Sequence, residues 1–148
     1  MDEIKDQLLK LAPSVNSLKE IGIHKKLAKF GDTVTNLTYS LAKTIVSHQL
    51  DQQKVSRTIL SSALKEAKMK IYAKKRSNAH DMANTAEAFI GYMYCKEKWS
   101  VEYMASLIIP VLSQYNLDDV NEELIGAIKS FRKLLEKIKE FLILKLES

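Results

Sequence analysis

Two carboxylates stand close to glycines in otherwise helical stretches: Asp32 follows Gly31, and Glu87 lies one turn before Gly91. Carboxylates and water are preferred ligands of hard divalent cations, so two acids facing each other across a groove could share one such ion. Around Asp32, the residues Ala28, Gly31, Thr35, Thr38 and Ala42 recur at helical steps and form a stripe of small side chains with Asp32 on its edge. Glycine inside a helix is unfavourable by about 1 kcal/mol relative to alanine, so Gly31 points to a close helix contact. A second segment has the same layout: Ala83, Ala86, Ile90 and Met93 make an apolar stripe, and His80, Asn84, Glu87 and Gly91 run along its flank. If these two helices pack through their small residues, the acids meet. Spacing by itself favours two unrelated surface acids.

The elements that must position these groups are helices. Four Gly and two Pro in 148 residues are too few for the turns of a sandwich or barrel, which excludes an all-β fold. At 46% hydrophobic and 28% charged residues, the chain has the material for one core and is neither disordered nor a mini-scaffold. A single all-α domain is expected over residues 1–148. Its first helix runs from Asp2 to Leu11, with Ile4, Leu8 and Leu11 on one face, and Pro13 stops it. From Ile23 to about His48, Leu27, Phe30, Val34, Leu37, Leu41 and Ile45 recur at steps of three and four, the stripe of a core-facing central helix. Further helices are predicted from Ser56 to about Lys70 and from Ala79 to Lys96, separated by a loop at Lys74 to Asn78. Ser100 caps a helix that Pro110 should kink or break. The last helix, Val120 to Leu146, carries a heptad seam of Leu124, Ile128, Phe131, Leu135, Ile138 and Leu142, which packs on its own domain or on a second copy.

The net charge is +5, and the excess is local: residues 65–99 hold eight Lys/Arg against four acids. A polyanion partner fits this balance, as does a solvated lysine-rich face. No stretch is apolar enough to span a membrane, and the charged N-terminus does not read as a signal peptide. Cys95 stands alone, which excludes an intrachain disulfide and suits a reducing cytoplasm. It reads as a small buried residue, and Met69, Met82, Met93 and Met104 as core filler.

Leu27-Ala28-Lys29-Phe30-Gly31-Asp32-Thr33-Val34 resembles the first signature of the ribonuclease III endonuclease domain, a Gly-Asp within a long helix. Ala86-Glu87-Ala88-Phe89-Ile90-Gly91-Tyr92-Met93-Tyr94 resembles the second, in which Glu-Ala is followed by a Gly and an aromatic. The likeness is closest to the mini-ribonuclease III branch and to an archaeal ribonuclease III-like family, and the basic run Lys74-Lys75-Arg76-Ser77-Asn78-Ala79 is similar to that branch. It spans roughly residues 15–115, with the motifs 55 residues apart.

The resemblance implies an all-α homodimeric endoribonuclease that hydrolyses double-stranded or structured RNA with Mg²⁺ or Mn²⁺. By carry-over, Asp32 and Glu87 are the catalytic metal ligands, with Asn84 a third oxygen donor where longer members have Asp. Lys25 and Ala28 stand where those members have Glu, so the acidic set is reduced to two. Lys25 and Lys29 could hold a phosphate instead, and Lys74, Lys75 and Arg76 would supply the RNA grip in place of a separate RNA-binding domain. The dimer interface is expected around Leu107, Ile108 and Pro110 or along the last-helix seam. Two alternatives remain: a ribonuclease III-like RNA-binding protein without activity, and a phosphohydrolase in which His80-Asp81, similar to the HD pair, joins His48 and Asp118 or Asp119.

Overall fold

The computed structural model describes residues 2–146, and every regular element among them is helical. The helices are α1 (Asp2–Leu11), α2 (Leu18–Gly22), α3 (Lys25–Ser47), α4 (Arg57–Glu66), α5 (Ala79–Lys96), α6 (Val101–Leu112) and α7 (Val120–Leu146), with a 3₁₀ turn at Lys70–Tyr72. Side chains at the starts set the boundaries. His24 Nδ1 accepts from Leu27 N, Ser56 Oγ from Ile59 N and Ser100 Oγ from Tyr103 N, each satisfying a first-turn N–H. Asn78 and Asp81 form a reciprocal capping box that starts α5 and ends the basic loop at residues 74–78. Asp119 Oδ1 accepts from Asn121 N and Glu122 N where α7 begins.

The central helix is α5, not α3. From Met82 to Met93 every α5 residue except Asn84 is buried, and α5 packs against α1, α2, α3, α4 and α7. Its small residues allow this, because a helix surrounded on all sides must let several neighbours come near. The large stripe on α3 also faces differently from expectation: Phe30, Leu37 and Ile45 are exposed, whereas Ala28, Gly31, Thr35, Thr38 and Ala42 point into the core with Leu27 and Val34. Close approach of two helices selected the small stripe over the large one.

Three smaller differences follow from local geometry. The helix after Ser56 ends at Glu66, with Lys68 in a left-handed conformation just beyond it. Pro110 sits in the last turn of α6, and the helix runs on to Leu112 despite the single i→i−4 bond that the ring removes. On α1, Ile4 and Leu11 are exposed, so only part of its apolar face is used. The α7 seam packs within the domain: Phe131, Leu135, Ile138 and Leu142 are fully buried, and Ile108 of α6 is buried as well. Those side chains are spent on the core and offer no interface to a second copy. Met69, Met82, Met93, Met104 and Cys95 are all buried, as their types suggested, and burial pushes the Cys95 thiol above its ordinary range.

Candidate active site

Helices α3 and α5 cross at Gly31 and Gly91. A Cβ at Gly31 would lie 1.8 Å from the Glu87 carbonyl oxygen, and one at Gly91 would lie 2.7 Å from the Leu27 carbonyl oxygen. No side chain fits at either point, so the backbones touch. The next outward-facing groups along the crossing are the two acids, and Asp32 lies within hydrogen-bonding reach of Glu87.

The pair lines one side of a cleft of about 780 Å³. Glu87 is buried at 8% exposure, and Asp32 is half-buried. Burial, then the hydrogen bond and charge of Asp32, push the Glu87 carboxyl up to about 8, against a smaller downward pull from Lys54. In the absence of a cation the Glu87 carboxyl therefore holds a proton near neutral pH, and a cation would displace it. Asn36 Nδ2 donates to Asp32 Oδ1 at 3.2 Å and holds that carboxylate from its own helix.

Of the other residues singled out from sequence, Asn84, Lys25, Lys29 and Lys74 also line the cleft. Asn84 is half-buried, with its amide 3.4 Å from the His80 ring. Lys25 and Lys29 are exposed on α3. Lys74 pairs with Asp81 at 3.3 Å, and the Asn78 backbone N–H together with this ammonium holds the Asp81 carboxyl below its usual range. Lys75 and Arg76 are exposed in the same loop but are not part of the cleft wall.

Lys54 and Arg57 also line the cleft and were not anticipated. They flank the Ser56 cap in a polar segment without periodicity; the only signal was the cap itself, which places Arg57 at a helix start. The HD-type alternative fails on geometry: among the described residues, no group of three His, Cys, Asp or Glu is placed to hold a metal ion. His48 is the left-handed cap of α3, and His80 belongs to the cleft.

The arrangement is thus an acid pair, one member buried and the other half-buried, at a cleft with Lys25, Lys29, Lys54, Arg57 and Lys74 in its walls. Such a site can neutralise a polyanion along its walls while concentrating negative charge at one point. A family model described as Ribonuclease III matches residues 25–144, beginning at the first residue of α3 and extending through most of α7, so it starts later and ends further along than the roughly 15–115 expected from the motifs. A search of the curated proteins returns no match. Among the described residues, no helix is long and apolar enough to cross a membrane.

Proposed function

The chain belongs to the ribonuclease III family, and from that premise we propose that it is a metal-dependent endoribonuclease hydrolysing phosphodiester bonds in double-stranded or structured RNA. The observation that supports this most is the convergence of Asp32 and Glu87 beside a cleft with cationic walls. Their oxygens, with the Asn84 amide oxygen, form a hard donor set that fits Mg²⁺ or Mn²⁺. The proton that burial and Asp32 keep on Glu87 near neutral pH is the second point of fit, because a divalent cation would take its place. When bound, the ion supplies Lewis acidity and lowers the pKa of water at neutral pH.

The chain's own residues do the remaining work. Asn36 orients Asp32, and the Gly31–Gly91 crossing sets the height of Glu87 against it. Lys25 and Lys29 on α3, and Lys74, Lys75 and Arg76 in the loop before α5, contact backbone phosphates, so an A-form duplex is held by shape and charge rather than by base sequence.

Cutting both strands of a duplex in one encounter takes two sites related by a two-fold axis, and the proposed assembly is a homodimer. The outer face of α3, with Phe30, Leu37 and Ile45 exposed, is the surface offered for it. A non-catalytic RNA-binding role is the second reading, and the reduction of the acids at the crossing to two favours it. Incubation with long double-stranded RNA in Mg²⁺, in Mn²⁺ and in EDTA separates the two: ion-dependent shortening supports the nuclease, and binding without cleavage supports the alternative.

A further inference from the structure

The segment joining α3 to α4 is extended, and it is laced to α3 by side chains one helical turn apart. Thr44 Oγ1 accepts from Asp51 N at 3.0 Å and donates to Asp51 O at 3.2 Å. Ser40 Oγ repeats the pattern with Gln53 N at 3.0 Å and Gln53 O at 3.2 Å. Asn36 Oδ1 accepts from Val55 N at 2.8 Å. Lys43 Nζ adds a bond to Gln53 Oε1 at 2.5 Å and an ion pair with Asp51 at 3.5 Å. Side chains of α3 therefore do for this segment what a neighbouring strand would do, satisfying the backbone groups of every second residue.

Asn36 is the rung that reaches the acids. The Val55 backbone N–H can only donate, so it fixes the Asn36 oxygen toward Val55, and the Asn36 NH₂ must then face Asp32. One amide thus sets both a carboxylate of the acid pair and the segment next to it. That segment carries Lys54, which lines the same cleft as Asp32 and Glu87. One divalent ion balances two carboxylates, and a phosphodiester brought to them adds a further negative charge for which a side-chain cation is the natural partner.

Resting on the nuclease reading above, we infer that Lys54 contacts the scissile phosphate beside the acid pair, and that Asn36 is a positioning residue holding Lys54 and Asp32 on one frame. The order of residues accounts for the lacing: without Asn36, Ser40 and Thr44 the extended segment would have no fixed place, and an exposed lysine on it would point nowhere in particular.

The test uses the full chain, short duplex RNA, and the variants Lys54→Gln, Lys54→Arg and Asn36→Ala, with circular dichroism confirming each fold. In EDTA, Lys54→Gln should bind more weakly, and its slope of log affinity against log salt should fall by about one. With Mg²⁺ and saturating RNA, its kcat should fall about ten- to a hundredfold, with Lys54→Arg retaining most of the rate. Asn36→Ala should reproduce part of both effects and add little in the Lys54→Gln background. An unchanged salt slope in Lys54→Gln overturns the phosphate contact while leaving the nuclease reading intact. An Asn36→Ala protein that loses stability alone, with slope and kcat as in the parent, overturns the positioning role. If the parent binds RNA but does not cleave it, the nuclease reading fails, and the salt slope still decides Lys54. A parent that does not bind duplex RNA overturns both.

Discussion

A side chain at Gly31 would begin 1.8 Å from the backbone carbonyl oxygen of Glu87. The atom in the way is main chain, so no rotamer change relieves the clash, and helices α3 and α5 must separate. Gly31→Ala should therefore destabilise the protein by about 3 kcal/mol or more, at the upper end of overpacking effects. Gly91→Ala, whose nearest contact is 2.7 Å, should have a smaller effect. Urea titration of both variants checks the order.

The Glu87 carboxyl, pushed up to about 8 by burial and by Asp32, makes stability depend on pH. The folded protein keeps this proton between the ordinary glutamate range and about 8, whereas the unfolded chain has lost it. The folded state thus binds more protons in that window, and metal-free stability should fall as pH rises through it, by on the order of a few kcal/mol. Glu87→Gln should flatten the decline and be more stable than the parent at the alkaline end. Thermal melts across the window in EDTA read both effects. Mg²⁺ should raise the melting temperature more at the alkaline end, because the ion competes with the proton.

Lys75 and Arg76 are exposed in the loop before α5, whereas Lys74 already pairs with Asp81. Replacing all three with Gln should weaken duplex binding for every RNA sequence alike and make its salt dependence shallower. Single replacements should show Lys75 and Arg76 contributing more than Lys74. Fluorescence anisotropy over a salt series measures this, and an unchanged slope would mean the loop is only a solvated basic face.

For assembly, Leu37→Lys on the outer face of α3 should give a folded monomer, since Leu37 is 56% exposed in the single chain. Leu135→Lys with Ile138→Lys should instead unfold the protein, because both side chains are fully buried within the domain. Sedimentation equilibrium combined with circular dichroism distinguishes the outcomes. A parent protein that is monomeric at micromolar concentration would argue against the two-site arrangement.

Gly31 and Gly91 were legible as marks of close helix contact, and each acid sits within a turn of one, but pairing the acids across two distant helices came from the family resemblance, since spacing by itself favours two unrelated surface acids. The Ser100 cap was legible from its local sequence, whereas of the Asn78–Asp81 capping box only the end of a loop was legible. The facing of α3 was not. Periodicity registers the large residues Phe30, Leu37 and Ile45, but the core took the small stripe, and that choice depends on α5, far away in sequence. Lys54 was hidden because its placement rests on side chains 10 to 18 residues earlier, from Asn36 to Thr44, lacing an extended segment that has no periodicity of its own.

The most direct measurement is cleavage of long double-stranded RNA by the parent, Asp32→Ala and Glu87→Ala in Mg²⁺, alongside their melting temperatures in EDTA. The parent should cleave in an ion-dependent way, and each variant should lose about a thousandfold or more, the scale of removing a group that stabilises transition-state charge. Above about pH 8, where Glu87 has lost its proton, melting temperatures in EDTA should be equal to the parent's or higher, because either change removes the repulsion between the acids. Cleavage that survives both substitutions would contradict the assignment of Asp32 and Glu87 as the catalytic pair.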